Sequence, residues 1–224
     1  MEYYLLRYSL DRKIIGSDLP QLEGVYLTSV ESPDFIGNTS VPNGEVSKTV
    51  ERPLAKLRKK STKLTDLMSV VGVGFLNNFL LSNRLKQIIE HSKNAGVQFF
   101  DTSVFSFNGD NPYLYWILNN HLSFPEYVDY KKSELWIRTV DGNGEEQVYC
   151  DSYEDYQRKK NLYAPRDMIF KRVEFIEEKV EYDFFALDNV YGSIAFYVSK
   201  NLKKFIEAEH CTGVEFIKSN ESYL

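Results

Sequence analysis

Residues 82–99, SNRLKQIIEHSKNAGVQF, and residues 199–216, SKNLKKFIEAEHCTGVEF, align without a gap at a constant offset (199 − 82 = 117). Eight of the 18 positions are identical: Ser82/Ser199, Leu85/Leu202, Lys86/Lys203, Ile89/Ile206, Glu90/Glu207, Gly96/Gly213, Val97/Val214 and Phe99/Phe216. Composition alone gives roughly one match in such a window, so an internal repeat comes first in reading the fold. Each copy has the same local logic. The serine caps a helix, Leu85, Ile88 and Ile89 (Leu202, Phe205 and Ile206 in the second copy) form one apolar face, and the glycine ends the helix. A strand is then expected from Val97 or Val214. Apolar runs, Phe79-Leu80-Leu81 and Ile194 to Val198, precede the helices, so each unit reads strand, helix, strand. The expectation is an α+β protein with mixed or antiparallel sheets and a central hairpin. It forms a single compact domain over 1–224, with pseudo-repeat units around 68–105 and 183–220.

Outward from the repeat, Tyr3 to Tyr8 predicts an edge or near-edge strand, because aromatic and aliphatic side chains suit a pleated surface. From Gly16 to Gly44 the turn formers Ser32-Pro33-Asp34, Gly37-Asn38 and Pro42-Asn43-Gly44 predict loops with short strands. Between the copies, Asn108 to Pro112 reads as a turn, and Tyr113 to Leu122 as a short buried helix or strand. Glu134 to Val140 and Gln147 to Cys150 flank Asp141-Gly142-Asn143-Gly144 and predict a hairpin, since Asp-Gly and Asn-Gly supply positive φ. Asp155 to Leu162 predicts a polar helix ending near Ala164-Pro165, and Ile169 to Ile176 a strand.

The chain has 224 residues, with 27 Lys and Arg against 32 Asp and Glu (27 − 32 = −5). Its 16 Tyr, 15 Phe and 2 Trp argue for a folded, aromatic-rich core rather than disorder. A pI near 5.4 argues against a general nucleic-acid binder, which needs a basic face. One local reversal stands out, RPLAKLRKKSTK at 52–63, with six basic residues and no acid. It lacks the interleaved aromatics that stack bases, and Leu54, Leu57, Leu64 and Leu67 fall on one helical stripe. A surface helix with its cations outward is expected. Cys150 and Cys211 form no disulfide framework and no CxxC pair. The opening MEYYLLRYSLDRK has no signal-peptide core, and no stretch has the apolar length of a membrane helix. A reducing cytoplasmic setting, no membrane partner and no nucleic-acid partner are therefore expected.

Two phrases carry a resemblance. Cys211-Thr212-Gly213-Val214-Glu215-Phe216 closes a Ser-led amphipathic helix near the C-terminus. Tyr115-Trp116-Ile117-Leu118-Asn119, followed by Val128-Asp129-Tyr130-Lys131-Lys132-Ser133, stands in the middle. In that order they resemble bacterial immunity proteins of polymorphic toxin systems, a family long known only as a domain of unknown function. The resemblance runs from about Phe79 to the end; residues 1–78 have no matching phrase. It implies cytoplasmic neutralisation of a cognate toxin by stoichiometric binding, without catalysis, and brings no catalytic residues.

A search for chemistry supports that reading. His91, His121 and His210 lack HExxH or HxxxH spacing, so no metal site is expected. Cys150 and Cys211 sit at element ends in apolar surroundings, where thiols pack rather than react. Val71-Gly72-Val73-Gly74 lacks the third glycine of a dinucleotide fingerprint, and no phosphate loop or GxSxG elbow occurs. No cofactor is called for. Two acidic runs remain, Glu174 to Asp183 and a cluster around the hairpin. The second includes tyrosines, and Glu145, Glu146, Tyr149, Asp151, Tyr153, Glu154, Asp155 and Tyr156 are the candidate toxin-binding residues. Carboxylates there would speed encounter with a basic partner, and the aromatics would hold it. A competing reading is an enzyme or small-ligand module with a site between the two halves. The sequence leaves open whether the chain forms a homodimer.

Overall fold

The structure is a computed structural model that describes residues 2–17, 19–25, 45–50, 52, 54–70, 79–110, 112–139 and 144–221. Its elements run β1 (Tyr3–Tyr8), α1 (Arg12–Ile15), β2 (Leu22–Val25), β3 (Leu54–Leu57), β4 (Leu67–Met68), β5 (Phe79–Ser82), α2 (Asn83–His91), β6 (Val97–Phe105), β7 (Tyr113–Asn120), β8 (Glu134–Arg138), β9 (Glu145–Val148), α3 (Tyr153–Tyr163), β10 (Met168–Arg172), β11 (Phe184–Val190), β12 (Ser193–Ser199), α4 (Lys200–Ala208) and β13 (Val214–Lys218). The fold is mixed α+β, as expected. A seven-stranded sheet has the order β13-β1-β12-β11-β10-β8-β9, and a six-stranded sheet the order β2-β3-β6-β7-β5-β4. Of the pairings described, all are antiparallel except β10 with β11 and β3 with β6.

Residues cluster into two compact units. One comprises 1–6, 123–203 and 216–224, the other 7–122 and 204–215. The core of the first is aromatic. Phe175 meets Tyr3, Phe185 and Tyr197 edge-on at 5.6, 5.2 and 4.8 Å between ring centres, which sets the positive ring edge against the negative face. The core of the second is largely aliphatic, with Leu22, Ala55, Leu57, Met68, Leu80, Phe100, Val104, Tyr115 and Ile117 buried together.

The serine N-caps follow the sequence, whereas α2 ends at His91 with Ser92 as its C-cap, ahead of the expected glycine. Ser82 accepts from the Leu85 N–H at 3.2 Å and Ser199 from the Leu202 N–H at 3.1 Å, each satisfying a donor that a helix start leaves open. Leu85, Ile88, Ile89, Leu202 and Ile206 are buried, whereas Phe205 is 52% exposed. The expected apolar face of α4 is therefore incomplete.

Three readings are corrected or resolved. The basic stretch is no helix: Leu54–Leu57 is strand β3, with Ala55 and Leu57 buried on one side and Lys56 turned to a Glu23 partner. Backbone pairing to β2 and β6 overrides the leucine spacing, and Arg58, Lys59 and Lys60 occupy the turn that follows. Tyr113 to Leu122, left open as helix or strand, gives strand β7, whose eight register pairs with β6 run from Val97↔Asn120 to Val104↔Tyr113. The strand expected over Ile169 to Ile176 is shorter, ending at Arg172. The β8–β9 hairpin forms with Leu135↔Val148 and Arg138↔Glu145 in register. The residues Asp141 to Asn143 of its turn, the turn formers at 32–44 and Val71 to Gly74 lie outside the described residues.

Candidate functional site

The expected acidic surface is built from β9 and the start of α3. β9 stands last in its sheet: β8 pairs with it on one side, and among the described residues no strand pairs on the other. Ser152 caps α3 by accepting from the Asp155 N–H at 3.2 Å, while the Asp155 carboxylate reaches back to the Asp151 N–H at 3.2 Å. This reciprocal pair fixes the chain's entry to the helix.

The eight candidates fall into two groups. Tyr156 is buried, with its ring 5.2 Å from Tyr130 and 5.7 Å from Phe170, and burial pushes its phenol well above the ordinary value. It is a core residue. Asp155 is held internally by Arg158 at 2.6 Å and Lys159 at 2.9 Å. Those hydrogen bonds, Arg158 first, keep its carboxyl far below the usual range. Glu145 is paired with Lys171, which also lies 5.7 Å from the Trp136 ring centre. Glu146, Asp151 and Glu154 by contrast face solvent, and Tyr149 is 75% exposed with its hydroxyl donating to Gln147 at 3.1 Å. The hydrogen bond from its own N–H, and then that from Ser152, keep the Glu154 carboxyl low. Tyr153 is half-buried.

The sequence reading missed Leu162, which is 73% exposed on α3. Its signal was available: a leucine directly after the polar run Gln157 to Asn161. Charge separates as well. The unit of 1–6, 123–203 and 216–224 holds 13 Lys and Arg against 18 Asp and Glu (13 − 18 = −5), whereas the other unit balances (14 − 14 = 0). The acidic excess belongs to the unit that carries β9 and α3.

Elsewhere, a small cleft in the same unit is lined by Glu2, Tyr3, Glu174, Phe175, Glu177, Lys218, Ser219 and Asn220. It holds no histidine or cysteine. Hydrogen bonds from Lys200 and then Lys218 hold Glu2 down to about 2, which makes it an ion-pair anchor. His91 caps its own helix through Gln87 at 2.7 Å. Cys150 and Cys211 are free thiols pushed up to about 11 by burial. No group of three or more potential ligands for a metal occurs among the described residues. No helix among them is long and apolar enough to cross a membrane.

The chain matches the model of the family described as Immunity protein family (Imm11) over residues 32–221. That match begins well ahead of Phe79, from which the resemblance runs. No curated protein matches the chain.

Proposed function

The chain belongs to the Imm11 immunity protein family, and from that membership we propose that it binds a cognate bacterial toxin stoichiometrically in the cytoplasm and blocks it without catalysis. The toxin belongs to a polymorphic toxin system. The contact surface is the β9–α3 edge, with Tyr149 as the aromatic anchor and Glu146, Asp151 and Glu154 as the charges that attract a basic toxin surface. The observation that carries this assignment is the 75% exposure of Tyr149 among three solvent-facing carboxylates. A large aromatic held out in water gains by burial in a partner, and interface cores favour tyrosine. Glu145, Asp155 and Tyr156 support the surface from behind through their internal partners.

The test is co-purification of the tagged chain with the product of the neighbouring toxin gene, with growth measured with and without the chain. A one-to-one complex and rescued growth are expected. The combined reversal Glu146→Lys, Asp151→Lys and Glu154→Lys should then slow association and flatten its salt dependence, because exposed charges act mainly on encounter. A complex that forms at an unchanged rate removes this edge from the interface; absence of complex and rescue removes the immunity reading.

A further inference from the structure

The two copies of the repeat share their surroundings as well as their sequence. Ser82 donates to Asp66 at 2.6 Å and Ser199 to Asp183 at 2.5 Å. The backbone bonds Ser82 N–H to Asp66 O and Ser199 N–H to Asp183 O are both 2.8 Å. Here too the offset is constant (183 − 66 = 117). β4 meets β5 as Leu67↔Leu81 and Met68↔Leu80, and β11 meets β12 as Phe184↔Val198 and Phe185↔Tyr197.

The next strand breaks the sequence order while keeping the geometry. In the first copy β7 lies beside β5, with Ser82↔Tyr115, Leu81↔Trp116, Leu80↔Ile117 and Phe79↔Leu118. In the second, the N-terminal strand β1 takes that place, with Ser199↔Tyr3, Val198↔Tyr4, Tyr197↔Leu5 and Phe196↔Leu6. Tyr115-Trp116-Ile117-Leu118 thus corresponds to Tyr3-Tyr4-Leu5-Leu6. The Tyr115 hydroxyl donates to Thr65 O at 2.8 Å and the Tyr3 hydroxyl to Tyr182 O at 3.3 Å, again 117 apart (182 − 65). Lys86 lies 4.7 Å from the Trp116 ring centre and 5.4 Å from that of Phe99, while Lys203 lies 5.3 Å from each of Tyr4 and Phe216. Finally, His121 N–H donates to Gly96 O and Ser9 N–H to Gly213 O, both at 2.8 Å, and both glycines have positive φ.

We propose that the chain is a circularly permuted duplication of one strand-strand-helix-strand-strand module, and that the slot between β12 and β13 is a strand-binding site whose occupant is this chain's own residues 3–8. In the first copy the last strand arrives through the turn around Gly109, where Gly109 N–H donates to Ser106 O. In the second it arrives from the other end of the polypeptide. Chance similarity of two sheets would not repeat a serine–aspartate bond, a tyrosine–carbonyl bond, a lysine between two rings and a full register together. β13 and β1 suit such an exchange: Ser219 N–H donates to Tyr3 O at 3.1 Å, so a short linker can carry the chain from β13 into β1.

The experiment reverses the permutation with every residue retained. Residues 110–224 are joined by a Gly-Ser linker to residues 1–109, opening the chain beside Gly109, where an added side chain would meet nothing within 4 Å. Exposed turns tolerate such cuts. β7 then becomes the N-terminal strand and β1 follows β13. The expected result is the native near-UV aromatic signal and one unfolding transition, with a Tm within about 5 °C of the parent. Because a permutant can fail for local reasons, Ser82→Ala and Ser199→Ala are made in the natural chain; both should lower the Tm, by about 2–6 °C each. A folded permutant with lost aromatic signal, or a serine pair of which one member changes nothing, overturns the proposal.

Discussion

Replacing Asp66 with alanine should be among the costliest single changes in the unit of residues 7–122 and 204–215. Its side chain is 8% exposed and accepts from Ser82 at 2.6 Å, Arg84 Nε at 3.1 Å and Nη2 at 2.6 Å, and the Thr212 N–H at 2.7 Å and hydroxyl at 3.0 Å. Burial opposes its charge, yet Arg84, Ser82 and Thr212 together hold its carboxyl below the ordinary value. Removing it leaves the Thr212 N–H and two hydroxyls without their acceptor. Hydrogen bonds to a charged group contribute about 1.5–3 kcal/mol each but are not additive, and because Arg84 is 47% exposed the main loss is the set of buried hydrogen bonds that Asp66 accepts. A loss of about 4 kcal/mol is expected, or about 8–16 °C in Tm at this chain length. The pH dependence separates this account from simple loss of packing. A carboxyl with a lowered folded pKa contributes stability that is present above its unfolded value, near 4, and lost as pH falls through the folded one. The gap between parent and Asp66→Ala in urea unfolding should therefore be full at pH 7 and narrow below about pH 4. A loss under about 1 kcal/mol at pH 7, or a gap that stays constant down to pH 3, refutes the reasoning.

Tyr149→Ala should leave the Tm unchanged while weakening toxin binding by about tenfold or more, whereas Tyr156→Ala should cost about 3–5 kcal/mol in denaturant unfolding whatever its effect on binding. Ile88→Ala should lose about 2–4 kcal/mol by the same measurement. Phe205→Ala, at the matching position of α4, should stay within about 0.5 kcal/mol. Cys150, a buried thiol near pKa 11, should react with a thiol reagent at pH 8 much more slowly than free cysteine does; rapid labelling of the folded chain would contradict its placement.

Helices α2 and α4, their serine N-caps and β1 were legible because each rests on local chemistry: a serine before an apolar stripe, an aromatic run. The stretch 52–67 was not. Its four leucines suit a helical stripe, but the strand buries Ala55 with Leu57, and pairing with β2 and β6, distant in sequence, decides the matter. The aromatic cluster around α3 shows the same limit at the candidate surface. Tyr149, Tyr153 and Tyr156 look alike in sequence, yet helix phase turns Tyr156 toward Tyr130 and Phe170 while Tyr149, ahead of the helix, stays in water. Lys159 and Arg158, which neutralise Asp155, could have been read from their i+3 and i+4 spacing. Phe205 marks the limit of the repeat as a guide, since residues matched by alignment need not have matching neighbours.

The end of a sheet is a hazard in a crowded cell, because its open backbone can template the strand of another molecule. β9 is short and carries Glu145 and Glu146 in succession. Two chains approaching along that edge would bring their solvent-facing Glu146 carboxylates together as their backbones tried to pair, and the sheet would stop growing there. The side chains that give this edge its charge thus guard it against pairing with its own kind.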